Sequence, residues 1–75
     1  MEKTRRLIIN REGIGFFKAT LESYEEIALM TVIDGKRGEI ELIYSESAEA
    51  DLEAIMKDME RFDIVFTEAP DVRRD

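Results

Sequence analysis

Two stretches of strand pattern meet at Asp34-Gly35-Lys36-Arg37-Gly38, and this junction constrains the fold more than any other feature. Before it, Ile27 to Ile33 is a nearly continuous apolar run whose length and β-branched content favour a strand. After it, Glu39 to Tyr44 alternates: Ile40, Leu42 and Tyr44 share one face, and Glu39, Glu41 and Ile43 share the other. Asp-Gly supplies the turn and Gly38 tolerates a positive φ, so the two strands form a hairpin. The flanking segments must pack against it. Thr4 to Asn10 reads as a strand with Leu7 and Ile9 on one face and Arg6, Ile8 and Asn10 on the other. Arg11 to Gly15 turns into a helix over Ile14 to Glu26, whose stripe is Ile14, Phe17, Leu21 and Tyr24, widened by Phe16. A second helix follows the hairpin, N-capped by Ser47, with Ala48, Leu52, Ile55, Met59 and Phe62 as its stripe and a Glu53–Lys57 pair on its surface. Ile64 to Glu68 is a short last strand with Ile64 and Phe66 inward, stopped by Pro70.

The element order is therefore β-α-β-β-α-β. With right-handed crossovers it gives an α+β, four-stranded antiparallel sheet in order 4-1-3-2, with both helices on one face. This order resembles the ferredoxin-like sandwich. At 75 residues there is room for one domain, with residues 4–68 as its ordered core and 69–75 as a polar tail. So small a core leaves little margin of stability, and added burial between copies would increase it.

Both helices need the face that carries Ile40, Leu42, Ile64 and Phe66, so the opposite face is left open. Parity puts Ile8, Ile43 and Val65 there, with Met30 and Val32 if the second strand keeps the same register. Arg6, Glu39, Glu41 and Thr67 share that face. A contiguous apolar patch of this kind invites a partner, so Ile8, Met30, Val32, Ile43 and Val65 are the expected interface, in a homodimer or against another protein. The alternative is a tolerated, slightly apolar surface.

Composition narrows the chemistry. Without Cys or His the chain has no disulfide, no thiolate, no Cys/His zinc site and no histidine base, and nothing in it needs an oxidising compartment, which points to the cytoplasm. A net charge of −7 opposes a nucleic-acid partner. The basic ends (Lys3, Arg5 and Arg6; Arg73 and Arg74) have acidic neighbours. No apolar run is long enough for a membrane span. The carboxylates follow no cation-loop spacing, so no metal and no cofactor is expected.

Asn10-Arg11-Glu12-Gly13-Ile14-Gly15-Phe16 is the phrase richest in information. Backbone N–H groups of such a turn can hold an anion before a helix, which makes Asn10, Arg11, Gly13 and Gly15 the candidate ligand-binding residues. The glycines can equally serve only to turn the chain and let the helix pack closely. The phrase resembles the loop of acylphosphatase, which reads Gln-Gly-Val-Gly-Phe-Arg. That family's Arg after the Phe is Phe17 here, Lys18 is displaced by one residue, and the second strand has no Asn. This resemblance implies fold kinship without the activity, so no enzyme is expected. The element order and the turn are also loosely similar to ACT-type regulatory domains, which bind amino acids or similar small molecules at dimer interfaces; that resemblance implies ligand sensing. Finally, Ile14-x-Phe16-Phe17-Lys18-x-x-Leu21-Glu22-x-Tyr24 with Ala28-Leu29-Met30-Thr31-x-x-Asp34 resembles a family of short bacterial proteins catalogued as a domain of unknown function, from about Arg6 to the second helix. It departs from that family in a more clearly written last strand.

Overall fold

The hairpin forms where its turn chemistry puts it. In the computed structural model, which describes residues 1–69, Asp34 Oδ1 accepts the N–H groups of Lys36 (3.1 Å) and Arg37 (3.3 Å). Gly38 has φ +74°, and a Cβ there would lie 1.9 Å from the Ile9 carbonyl oxygen. Only glycine fits both demands. Pro70 and the expected polar tail with Arg73 and Arg74 lie outside the described residues.

The hairpin joins β2 (Ala28–Asp34) to β3 (Glu39–Ser45); β1 (Glu2–Ile9) pairs with β3, and β4 (Phe66–Glu68) pairs with the other side of β1. All pairings are antiparallel, and the order β2-β3-β1-β4 is the expected one read from the opposite edge. Strand β1 begins two residues earlier than its pattern implies, because Glu2 and Lys3 pair with Ser45 and Tyr44.

Helix α1 (Ile14–Glu22) stops four residues short of the expected end. The Ser23 N–H bonds the carbonyls of Ala19 and Thr20, its hydroxyl donates to the Thr20 carbonyl, and Glu26 turns the chain with φ +59°. Tyr24, at the end of the expected stripe, is therefore exposed. Helix α2 (Glu49–Met59) enters through a 3-10 turn at Glu46–Ala48, so Ser45, not Ser47, provides the cap: its hydroxyl accepts the Ser47 N–H. Glu53 pairs with Arg5 on β1 and not with Lys57. Lys3 and Arg5 share a parity with Leu7 and Ile9, and that parity lies beneath α2.

Both helices bury the rest of their stripes on one face; Phe62, expected at the end of the second stripe, lies in the 3-10 turn Glu60–Phe62 and is exposed. Leu7, Ile9, Ile40, Leu42 and Tyr44 of the sheet form one core with Phe17 and Leu21 of α1, with Leu52, Ile55, Met56 and Met59 of α2, and with Ile64. Removing a side chain such as Leu52 from water is worth about 1.5–3 kcal/mol. Phe17 meets Phe66 edge to face, with centroids 4.8 Å apart. Phe16 is off this stripe; it is exposed and stacks edge to face on Phe62. Among the described residues no helix is long and apolar enough to cross a membrane.

One irregularity reassigns a whole strand. Asp34 faces Glu39, but Val32 faces Ile40, because β2 carries a bulge between Val32 and Asp34. An unbulged hairpin would set Val32 against Glu41 and Met30 against Ile43, on the open face. The extra residue shifts the register by one and turns every side chain over. Met30 faces Leu42 and packs against the core, and Val32 faces Ile40; neither belongs to the open face, contrary to expectation. Leu29 and Thr31 take their places, opposite Ile43 and Glu41.

Candidate interaction site

The turn after β1 is occupied by the protein itself. Asn10 Nδ2 donates to the Asp63 carbonyl (3.1 Å), and Asn10 Oδ1 accepts the Val65 N–H (3.0 Å). The side-chain amide thus latches the segment that leads into β4. Asn10's carbonyl accepts the Gly13 N–H at 2.8 Å, closing the Arg11–Gly13 3-10 turn. Gly13 is buried against Ile64, where a Cβ would come within 2.8 Å of Cγ1. Gly15 lies in α1 with nothing within 4 Å of a Cβ position, and Arg11 is exposed. Asn10, Gly13, Asp63 and Ile64 line a hollow of about 440 Å³ with Glu12, Phe16 and Phe62. Of the four candidate ligand residues, Asn10 and Gly13 are engaged in building the turn.

The open face is more polar than expected. Rows of facing residues cross it: Leu29–Ile43–Thr4, then Thr31–Glu41–Arg6, then Glu39–Ile8–Thr67. Arg6 pairs with Glu41 (3.2 Å) and Glu39 (3.6 Å), so a charged ladder separates Ile8 from the Leu29–Ile43 pair. Ile8 and Ile43 are half-buried there. Val65 lies outside the strands, exposed, and lines a hollow of the α2 side with Met56, Lys57 and Phe66, so it does not join them.

Three of the exposed large apolar side chains lie on β2. Leu29 is 72% exposed, Val32 43% and Ile33 42%, on both sides of one edge strand. The only charged residue of β2 is its last, Asp34. Next to it, Leu21, Tyr24, Ile27, Ala28, Leu29 and Ile43 line a cleft of about 620 Å³ at the end of α1. The missed residues, Leu29 and Ile33, had no signal in an apolar run without alternation; only the bulge decides their side.

Electrostatics tie the helix side together. Lys3 donates to Glu49 (2.9 Å), and that hydrogen bond raises the ammonium pKa above its ordinary value. Arg5 reaches Glu68 (2.8 Å) and Glu53; the Glu68 bond leads in raising its pKa, against partial burial. Among the described residues no group of His, Cys, Asp or Glu is placed to hold a metal.

A family model described as Domain of unknown function (DUF4911) matches residues 7–62, from within β1 to the end of the turn after α2. No curated protein matches, and no solved structure matches.

Proposed function

The chain belongs to the DUF4911 family, and for it we propose a non-enzymatic interaction module that self-associates, working in the cytoplasm. One observation carries this reading: in an acidic chain of net charge −7, three exposed apolar side chains, Leu29, Val32 and Ile33, lie on a single edge strand of the sheet. Scattered exposed hydrophobics are ordinary, but here Leu29 faces Ile43 on the open face, and Val32 and Ile33 follow on the same edge strand. Lack of Cys and His, and of the acylphosphatase-type Arg and Asn, supports binding over catalysis. Ligand sensing at the turn after β1 has less support, since Asn10 already uses both ends of its amide within the fold.

Sedimentation equilibrium over a dilution series tests the reading. The expected result is a two-chain mass at high concentration that falls to one chain on dilution, with Leu29→Glu shifting the balance to the monomer. A single-chain mass at every concentration would refute it.

A further inference from the structure

We propose that the cleft at the end of α1 binds a small apolar amine, with the ammonium held by Glu2 and Glu26 and the apolar body lying on Leu21, Ile27 and Ile43. The site lies within one chain and does not depend on self-association.

The cleft holds about 620 Å³, within the roughly 300–1,000 Å³ of small-molecule sites. Ala28, the β2 partner of Tyr44, is small and leaves room beside the tyrosine. Tyr44 lines the cleft and is only 4% exposed, yet its hydroxyl has no hydrogen-bond partner among the described residues. A buried tyrosine usually satisfies that group. Among the described residues no side-chain polar atom is both unpaired and sealed from solvent, so this hydroxyl reaches water, and the cleft is the opening that Tyr44 lines. Lys3, the β1 partner of Tyr44, is held by Glu49 at 2.9 Å and does not line the cleft. The polar group of a ligand can therefore meet the hydroxyl without displacing a bond of the protein.

Charge decides which polar group that is. Glu2, Glu22 and Glu26 line the cleft, and no lysine or arginine does. Lys18 pairs with Glu22 at 3.2 Å. Glu2 and Glu26 have no ion pair among the described residues, and the α-ammonium of Met1, also on the rim, reaches neither. An ammonium placed there meets two free carboxylates, whereas a carboxylate would meet like charge. Glu26 also holds φ +59°, a conformation that glycine adopts more cheaply, so its carboxylate stands where local geometry favours no side chain.

Amide NMR titration with hexylamine, hexanol and hexanoate, one apolar tail with three heads, tests the site. Hexylamine is expected to bind saturably, shifting the amides of Leu21, Ala28 and Tyr44, about tenfold more tightly than hexanol, with hexanoate weaker still. Glu26→Gln should weaken hexylamine about tenfold and leave hexanol unchanged. Glu12→Gln, an equal change of charge at the turn after β1, should leave both unchanged. Tyr44→Phe should weaken hexylamine severalfold. Glu26→Gly should lose as much affinity as Glu26→Gln while melting no lower than the native chain, which separates binding from folding. Equal affinity for the three heads, equal losses in Glu26→Gln and Glu12→Gln, shifts away from the cleft, or no saturable binding would each overturn the proposal. None of these results bears on sedimentation, which tests self-association by itself.

Discussion

Three glycines do three different things, and a Cβ at each separates them. At Gly38 a Cβ would meet the Ile9 carbonyl oxygen at 1.9 Å, and φ is +74°. Backbone cannot step aside there as a side chain can. At Gly13 the obstacle is Ile64 Cγ1 at 2.8 Å, part of a side chain packed in the core. At Gly15 there is open space within a helix. Chemical denaturation should therefore rank the alanine variants. Gly15→Ala should gain about 0.5–1 kcal/mol from helix propensity. Gly13→Ala should lose about 1–3 kcal/mol from overpacking. Gly38→Ala should lose more than Gly13→Ala, with strain and clash combined. A destabilised Gly15→Ala would mean that the start of α1 is more crowded than its open surroundings imply.

At the scale of elements, Arg5 links three of them. It projects from β1 to Glu53 on α2 and to Glu68 on β4, and its side chain is only 21% exposed. Strand β4 has three paired residues, so this tie and the Asn10 latch supply much of its attachment. Arg5→Met keeps an apolar stem while removing both ion pairs. It is expected to cost about 1 kcal/mol at low ionic strength and less in high salt, since screening weakens partly exposed pairs. Urea unfolding at two salt concentrations checks this; equal stability of the two proteins in both would show that the ion pairs contribute nothing. The same scale shows why the Glu53–Lys57 pair does not form. An i,i+4 partner is worth a few tenths of a kcal/mol, about 0.2–0.5, and a guanidinium held beneath the helix competes well with it.

At the scale of the molecule, stability and assembly are coupled. A chain of 75 residues has a small core, here built from one face of the sheet and two short helices. Anything that binds only the folded form raises the melting temperature by mass action, and a second copy is such a ligand. Differential scanning calorimetry should find a melting temperature that rises with protein concentration, and Leu29→Glu should abolish the rise. A concentration-independent melting temperature for the native chain, at concentrations where it sediments as a dimer, would mean that the interface does not stabilise the fold.

What the amino-acid sequence determined by itself is local. The Asp34-Gly35 turn with Gly38, the alternation of β3, the parity of β1 and the stripes of both helices are all set by periodicity and turn chemistry within a few residues. From these the strand order follows, since few connections satisfy the handedness of the crossovers. What only the tertiary structure decided is which side of the sheet β2 shows to water. An apolar run carries no period of its own, and a bulge of one residue near Val32 exchanges its two faces. The exchange takes Met30 and Val32 to the helix side and brings Leu29 and Thr31 outward. The dual use of Asn10 was likewise decided by packing, because its partners, Asp63 and Val65, are distant in sequence and meet it only after β4 has docked on β1.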